Sequence, residues 1–206
     1  MYKYEKDLIS KGFSYIAGCD EVGRGPLAGP VVCAAVILNP KSRINGLDDS
    51  KVLSAKKREQ LAKTIKRRAL AYSIAYVYED EIDRINIYQA SKKGMIMAVN
   101  SLSIKPEYIL TDAMPIEEFD IPVQAIIKGD ATSASIAAAS IIAKVERDAY
   151  MDKMDELYPG YGFSHNKGYP TKEHFLALEK LGVSKIHRKT YKPVNNELNK
   201  QLKLDI

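Results

Sequence analysis

The chain has 206 residues, of which 46% are hydrophobic and 28% charged, with a formal net charge of +5. These values are typical of one globular domain that can bury a sizeable core. A membrane-spanning helix is excluded, because the longest apolar run, over residues 30–38, is far shorter than the ~18 residues required. The charged start "MYKYEKDL" lacks the apolar core of a signal peptide, so we expect a cytoplasmic protein.

Two strands are predicted near the N-terminus, over residues 14–19 and 30–38, joined by a glycine-rich turn over 23–29 that is short enough for a hairpin. The second strand does not alternate between apolar and polar residues, which indicates burial on both faces. Each strand-like stretch carries one cysteine, Cys19 or Cys33, without zinc-ligand spacing. We interpret both cysteines as buried core residues of a protein in a reducing compartment.

Helices and strands alternate through the rest of the chain. Ser54 is predicted to cap a helix that ends near Ala69, and residues 71–78 alternate as a third strand should. Asn86 is predicted to cap a helix to about residue 102, followed by strands that end at Asp112 and near Asp130. A long helix rich in alanine and serine should span 133–154, and a last one 171–181. This order predicts an α/β domain over 1–206 with a mixed sheet, whose helical and basic C-terminal part begins at about residue 155.

Basic residues are concentrated over residues 41–70 and 185–203. Such stretches suit a polyanionic partner, most often nucleic acid. On charge alone, a solvated helix face is the simpler interpretation.

Four acidic residues stand at the predicted strand ends, and these are Asp20, Glu21, Asp112 and Asp130. Ligand sites of open α/β sheets lie at strand ends, where neighbouring strands bring side chains together. Converging carboxylates repel one another unless a cation neutralises them, and oxygen ligands without histidine or cysteine favour Mg²⁺ or Mn²⁺. Two such ions can activate a water and stabilise a leaving oxygen at a phosphodiester. For any single acid, a turn residue or a surface charge is the alternative.

Four motifs occur in order between about residues 16 and 194: "DEVGRGPLAGP", "LDDSKVLS", "KGDATSASIAAASIIAKVERD" and "YPGYGFSHNKGYPTKEH". Together they resemble ribonuclease HII, the type 2 ribonuclease H family, in its bacterial form. The resemblance implies a ribonuclease H-like fold, with a central five-stranded mixed β-sheet flanked by helices and a C-terminal helical region. It also implies a metal-dependent endonuclease that cuts RNA in RNA–DNA hybrids, and DNA that contains single ribonucleotides, as in ribonucleotide excision repair.

The resemblance assigns roles to individual residues. The family's four catalytic, metal-binding carboxylates match Asp20, Glu21, Asp112 and Asp130. Gly23, Arg24 and Gly25 resemble the family's "GRG" motif, whose backbone contacts the ribonucleotide. Glycine allows the close backbone approach that recognition of a 2′-OH requires, and the arginine can reach a phosphate. Tyr169 matches the tyrosine that stacks beneath the deoxyribose after the ribonucleotide.

Four further residues are candidate phosphate ligands: Lys51, Thr132, Ser133 and Lys144. Thr132 and Ser133 stand at a predicted helix start, where phosphates bind readily, although Ser133 could simply be the N-cap. We interpret His165, His174 and His187 as structural or phosphate-facing, because they lack metal spacing. The segment "KIHRKTYKPV" is expected to follow the nucleic-acid backbone.

The resemblance and the carboxylates together predict cleavage on the 5′ side of the ribonucleotide by two metal ions, leaving 3′-OH and 5′-phosphate ends. The alternatives are another metal-dependent nuclease of the same fold, or a non-catalytic module that binds hybrids. A protein that binds nucleoside triphosphates through a P-loop is excluded, because no G-x-x-x-x-G-K-[ST] motif follows a strand. We expect a monomer whose partners are RNA–DNA hybrids and ribonucleotide-containing duplex DNA.

Overall fold

The computed structural model describes the backbone of residues 1–204 and the side chains of residues 1–200. Its strands are β1 Ile16–Val22, β2 Val31–Ile37, β3 Ala71–Val77, β4 Tyr108–Asp112 and β5 Val123–Ile126. Its helices are α1 Lys3–Ser10, α2 Ala55–Arg68, α3 Glu79–Asn100, α4 Gly129–Thr132, α5 Ala134–Leu157, α6 Phe163–Asn166, α7 Lys172–Leu181 and α8 Lys192–Leu204. In this part of the chain, no helix is long and apolar enough to cross a membrane.

The five strands form one mixed sheet in the order β3-β2-β1-β4-β5. β1, β2 and β3 pair antiparallel, with α2 in the connection between β2 and β3, whereas β1, β4 and β5 pair parallel. The mixed five-stranded sheet predicted from the sequence is therefore confirmed, and so is the hairpin between the first two strands. Because β1 is central, the side chains at its end lie between those of β2 and β4.

Helices cover both faces of the sheet. On one face α3 packs against β2 and β3 through residues such as Cys33 and Met95, and on the other α5 packs against β1 and β2. The approach of α5 to β1 is very close at Gly18, where a Cβ atom would lie 2.1 Å from the Ser135 carbonyl carbon. A larger residue at position 18 would displace the helix. Cys19 and Cys33 are free and buried, as the sequence predicts.

Several predicted boundaries were wrong. β1 continues through Asp20 and Glu21 to Val22, so these acids lie within the strand and not after it. β5 ends at Ile126, and Asp130 lies in the one-turn helix α4. Asn86 does start a helical segment, because its Oδ1 accepts from the N–H groups of residues 88 and 89, but a further helical segment over 79–85 precedes it.

The C-terminal helices pack on the turn between β1 and β2 and on the second half of α5. One cluster joins Ala28 of the turn to Met151 of α5 and Phe163 of α6. A second cluster joins Leu27 to α7 and to Val194 of α8. The turn after β1 is therefore held between the sheet and the C-terminal part.

Candidate active site

The register of the sheet brings Asp20 and Asp112 to the same level. Cys19 of β1 pairs with Thr111 of the parallel strand β4, so the next residue on each strand is an aspartate. α4 adds Asp130, and carboxylate oxygens of the three aspartates all lie within 4.8 Å of one another. Asp20 and Asp130 are each only 4% exposed. Three of the four predicted carboxylates therefore converge on one point.

Glu21 approaches this point from a different direction. Successive residues of a strand point to opposite faces, so Asp20 and Glu21 leave β1 on opposite sides, and Glu21 is not among the three converging side chains. Its Oε1 lies 3.3 Å from a guanidinium nitrogen of Arg24, and its Oε2 is buried without a hydrogen-bond partner. It lines the same cleft as Asp20 and Asp112.

Burial, and after it the proximity of the acids, disfavours their charged forms. Burial, followed by the charge of Glu21, raises the pKa of Asp20 well above its usual range, although the Ser140 hydroxyl acts in the opposite direction. Burial raises the pKa of Glu21 to about 7, and Arg24 partly offsets this. Burial also raises the pKa of Asp112, whose Oδ1 accepts a hydrogen bond of 2.8 Å from the Gly129 N–H.

These residues fit a divalent cation of the Mg²⁺ or Mn²⁺ type. The converging donors are all carboxylate oxygens, which such hard cations prefer. The buried Glu21 Oε2 has an unfilled acceptor, and burial together with neighbouring acidic charges raises the pKa values of Asp20 and Glu21. A bound cation would relieve both conditions.

Beside the carboxylates lies a cleft with a volume of about 390 Å³. It is lined by Asp20, Glu21, Val22, Gly23, Arg24, Gly25, Ser50, Lys51, Asp112, Lys144 and Tyr169. Two candidate phosphate ligands are therefore in the cleft. Lys51 Nζ lies 3.4 Å from Asp130 Oδ2, and Lys144 Nζ lies 2.7 Å from Asp148 Oδ1.

The "GRG" turn forms one wall of this cleft, next to Tyr169. Gly23 has a φ of +103°, and a Cβ atom there would lie 2.3 Å from Arg147 Nε, so both the backbone angle and the packing require glycine. A Cβ atom at Gly25 would lie 3.7 Å from the ring carbon Cε1 of Tyr169. The Tyr169 side chain is 38% exposed, which leaves ring surface available for stacking.

Thr132 and Ser133 are not among the residues that line the cleft. Ser133 is fully buried, where its Oγ donates to Glu5 Oε1 and accepts from the Ile136 N–H of α5. The N-cap interpretation of Ser133 is therefore correct, and its predicted phosphate contact is not supported, because the hydroxyl is occupied. Thr132 is exposed, and its hydroxyl donates to the Lys128 carbonyl oxygen.

The C-terminal part supports one prediction and corrects another. His174 and His187 are almost fully buried and their Nε2 atoms lie 3.1 Å apart, which agrees with the structural alternative, and the pair lies outside the cleft lining. Arg188 of the "KIHRKTYKPV" segment is fully buried and faces the protein interior. It therefore cannot contact a nucleic-acid backbone, contrary to the expectation for this segment.

Sequence reasoning missed three polar residues that support the site. Ser140 contacts Asp20 and lies 2.9 Å from the Ser50 hydroxyl. Arg147 and Arg188 are both fully buried behind the "GRG" turn. The position of Arg147 gave a usable signal, because it falls on the buried stripe of α5 between Ala143 and Met151, where an unpaired charge is unexpected.

Known proteins resemble the whole region from β1 to the start of α8. The profile of the family described as Ribonuclease HII matches residues 17–194. A Ribonuclease HII from Enterococcus faecalis is 55% identical over 196 residues, which cover 95% of this chain and 76% of that protein. Another from Bacillus thuringiensis is 54% identical and covers 97% and 77% respectively. The crystal structure of ribonuclease H2 from Pyrococcus horikoshii superposes with a TM-score of 0.78 and 28% identity, covering 92% of this chain and 100% of that one.

Proposed function

The chain belongs to the ribonuclease HII family, and from this premise we propose that it cuts duplex DNA on the 5′ side of a single embedded ribonucleotide. Family membership makes it a metal-dependent endonuclease that hydrolyses the RNA strand of RNA–DNA hybrids. The specificity for a lone ribonucleotide, the bond that is cut and the roles of individual residues belong to the proposal.

One observation carries the proposal. The cleft that contains Asp20, Glu21 and Asp112 is also lined by the "GRG" turn and by Tyr169. A scissile phosphate at the carboxylates would therefore have its ribose against a glycine backbone and the next sugar near an aromatic ring. Because a 2′-OH distinguishes RNA from DNA, contacts at these two positions can recognise an RNA-to-DNA junction.

We expect Asp20, Glu21, Asp112 and Asp130 to hold two divalent ions, Mg²⁺ or Mn²⁺. When bound, such ions activate a water and stabilise the leaving oxygen of a phosphodiester. The protein's own contribution is to orient the substrate. Arg24, Lys51 and Lys144 supply positive charge at the cleft for the flanking phosphates.

The 2′-OH acts as a recognition group and not as the nucleophile. Ribonucleases that work without metal typically use a pair of histidines as acid and base for attack by the 2′-OH, and no histidine lines the cleft in the described part of the chain. Water attack in line with the 3′ oxygen of the preceding nucleotide leaves 3′-OH and 5′-phosphate ends.

Cleavage of three labelled duplexes tests the proposal: a continuous RNA–DNA hybrid, DNA with one ribonucleotide, and DNA alone. We expect cutting of the first two in Mg²⁺ or Mn²⁺, and none in EDTA. Failure to cut the duplex with one ribonucleotide, while the hybrid is cut, would contradict the specificity proposed for the "GRG" turn. Cutting of DNA alone would indicate a general nuclease.

A further inference from the structure

Two buried arginines lie behind the "GRG" turn and hold its carbonyl groups. Arg188 donates from Nε to the Gly29 carbonyl oxygen at 3.0 Å, and its terminal nitrogens donate to the carbonyl oxygens of Gly23 and Arg24 at 2.6 and 3.0 Å. The Tyr191 hydroxyl donates to the same Arg24 carbonyl at 2.8 Å. In the described structure, Arg188 has only backbone carbonyls and the Tyr191 hydroxyl as hydrogen-bond acceptors.

Arg147 connects the turn to the loop that carries Tyr169. Its guanidinium donates to the carbonyl oxygens of Ala28 and Pro30 in the connection between β1 and β2, and to that of Lys167 in the loop that carries Tyr169. The same guanidinium carbon lies 5.8 Å from the centre of the Tyr169 ring. Arg147 therefore fixes the distance between the two elements that the proposed function assigns to substrate recognition.

The carbonyl contacts determine where the N–H groups of the turn point. In a planar trans peptide, the C=O and the N–H of the next residue point in opposite directions. Because the carbonyls of Gly23 and Arg24 point inward to Arg188, the N–H groups of Arg24 and Gly25 point away from it, on the side where these residues line the cleft. Neither N–H donates to a protein acceptor in the described structure.

We propose that Arg188, together with Tyr191, is a positioning element that presents the N–H groups of Arg24 and Gly25 as a pair of donors to the 2′ oxygen of the ribonucleotide. The inference rests on the proposed function, because it explains how the "GRG" turn recognises ribose. A buried arginine that satisfies carbonyls on one side leaves donors on the other, and preorganised donors avoid reorganisation during catalysis. Arg188 itself does not touch the substrate.

The test measures whether the effect of replacing Arg188 depends on the 2′-OH of the substrate. The enzyme is compared on two duplexes, one with a single ribonucleotide and one with 2′-deoxy-2′-fluoro substitution at that position, under single-turnover conditions in Mn²⁺. Arg188→Lys keeps the charge but loses the forked donors, and we expect it to slow cutting of the ribonucleotide by about 30- to 100-fold. On the fluoro substrate, which has already lost the 2′ contact, we expect a loss of less than about 5-fold.

Two further variants allow the inference to be tested even if Arg188→Lys does not fold. Tyr191→Phe removes one hydroxyl, and we expect a loss of about 3- to 10-fold that again depends on the 2′-OH. Tyr161→Phe is the matched control, because its hydroxyl donates to the Gly182 carbonyl in the same C-terminal region without contacting the turn. The control should show unchanged discrimination between the two substrates, with melting curves measured for every variant.

The outcomes separate the inference from the proposed function. Equal losses on both substrates would show that Arg188 and Tyr191 only stabilise the fold, and would overturn the inference alone. Equal rates of the unmodified enzyme on the two substrates would overturn ribose recognition by the turn, and the inference with it. If Arg188→Lys does not fold, the result for Tyr191→Phe decides.

Discussion

Replacement of Asp112 by asparagine should abolish cleavage and stabilise the metal-free protein. Two unit charges 4.8 Å apart, the largest separation among the three converging aspartates, repel by about 3.5 kcal/mol at an effective dielectric constant of about 20. Proton uptake relieves part of this repulsion, because the pKa values of Asp20 and Asp112 are raised, and Lys51 lies near Asp130. We therefore expect Asp112→Asn to increase the free energy of unfolding by about 1 kcal/mol at pH 8 in EDTA.

The stability gained in Asp112→Asn should depend on pH, because the pKa of Asp112 is raised. A carboxyl with a raised pKa destabilises the fold when it is ionised, so its penalty is absent below the unfolded pKa and grows as the pH rises through the folded pKa. The gain in Asp112→Asn should therefore shrink between pH 8 and pH 4.5. Asparagine Oδ1 can still accept from the Gly129 N–H, which preserves the local structure.

Urea unfolding in EDTA and cleavage in Mg²⁺ measure the two effects on the same samples. Asp7→Asn is the control, because Asp7 of α1 forms an exposed ion pair with Lys11 just after that helix, and we expect the stability and activity of this variant to change little. Added Mg²⁺ should stabilise the unmodified protein more than Asp112→Asn. Cleavage by Asp112→Asn at nearly the normal rate would refute the assignment of Asp112 as a metal ligand.

Three further predictions concern single residues. Tyr169→Ala should weaken cutting at a lone ribonucleotide more than cutting of a continuous hybrid, by about 1–3 kcal/mol, and equal losses in both cleavage assays would reduce Tyr169 to a general contact. Gly23→Ala should destabilise the protein by at least ~1–3 kcal/mol in urea unfolding, because its φ of +103° and its contact with Arg147 exclude a Cβ atom. Burial and the neighbouring His174 lower the pKa of His187 to about 3, so its contribution to stability is present above pH ~6.5 and is lost as the pH falls. The destabilisation caused by His187→Gln should therefore be smaller at pH 5 than at pH 8 in thermal melts, and an unchanged difference would contradict a neutral, buried His187.

The pattern of the sequence was sufficient for the sheet and for α2, α3, α5 and α7, because periodicity and capping residues act locally, but it did not predict α1, α4, α6 or α8. Ser54 and Thr171 accept hydrogen bonds at helix N-termini where the sequence places them. The boundary of β1 was harder to predict, since a strand normally excludes adjacent acids, and here Asp20 and Glu21 belong to a functional site. At such a site, the residues needed for function occupy positions where the local structure would favour other residue types.

The interior of the C-terminal part could not be predicted from local pattern. The basic segment around Arg188 looks like a solvated surface, and only the tertiary fold shows that the guanidinium is buried against the carbonyls of a turn that is distant in sequence. The pair of His174 and His187 depends on the same packing. In both cases the chain topology determines which residues become partners, and no spacing in the sequence indicates these pairings.

The most direct test of the account is to map the ends produced from a DNA duplex that contains one ribonucleotide. Mass spectrometry of the products should show a 3′-OH on the upstream fragment and a 5′-phosphate on a downstream fragment that begins with the ribonucleotide, and only when Mg²⁺ or Mn²⁺ is present. A 2′,3′-cyclic phosphate, or a cut on the 3′ side of the ribonucleotide, would contradict metal-assisted water attack at the carboxylates of Asp20, Glu21, Asp112 and Asp130.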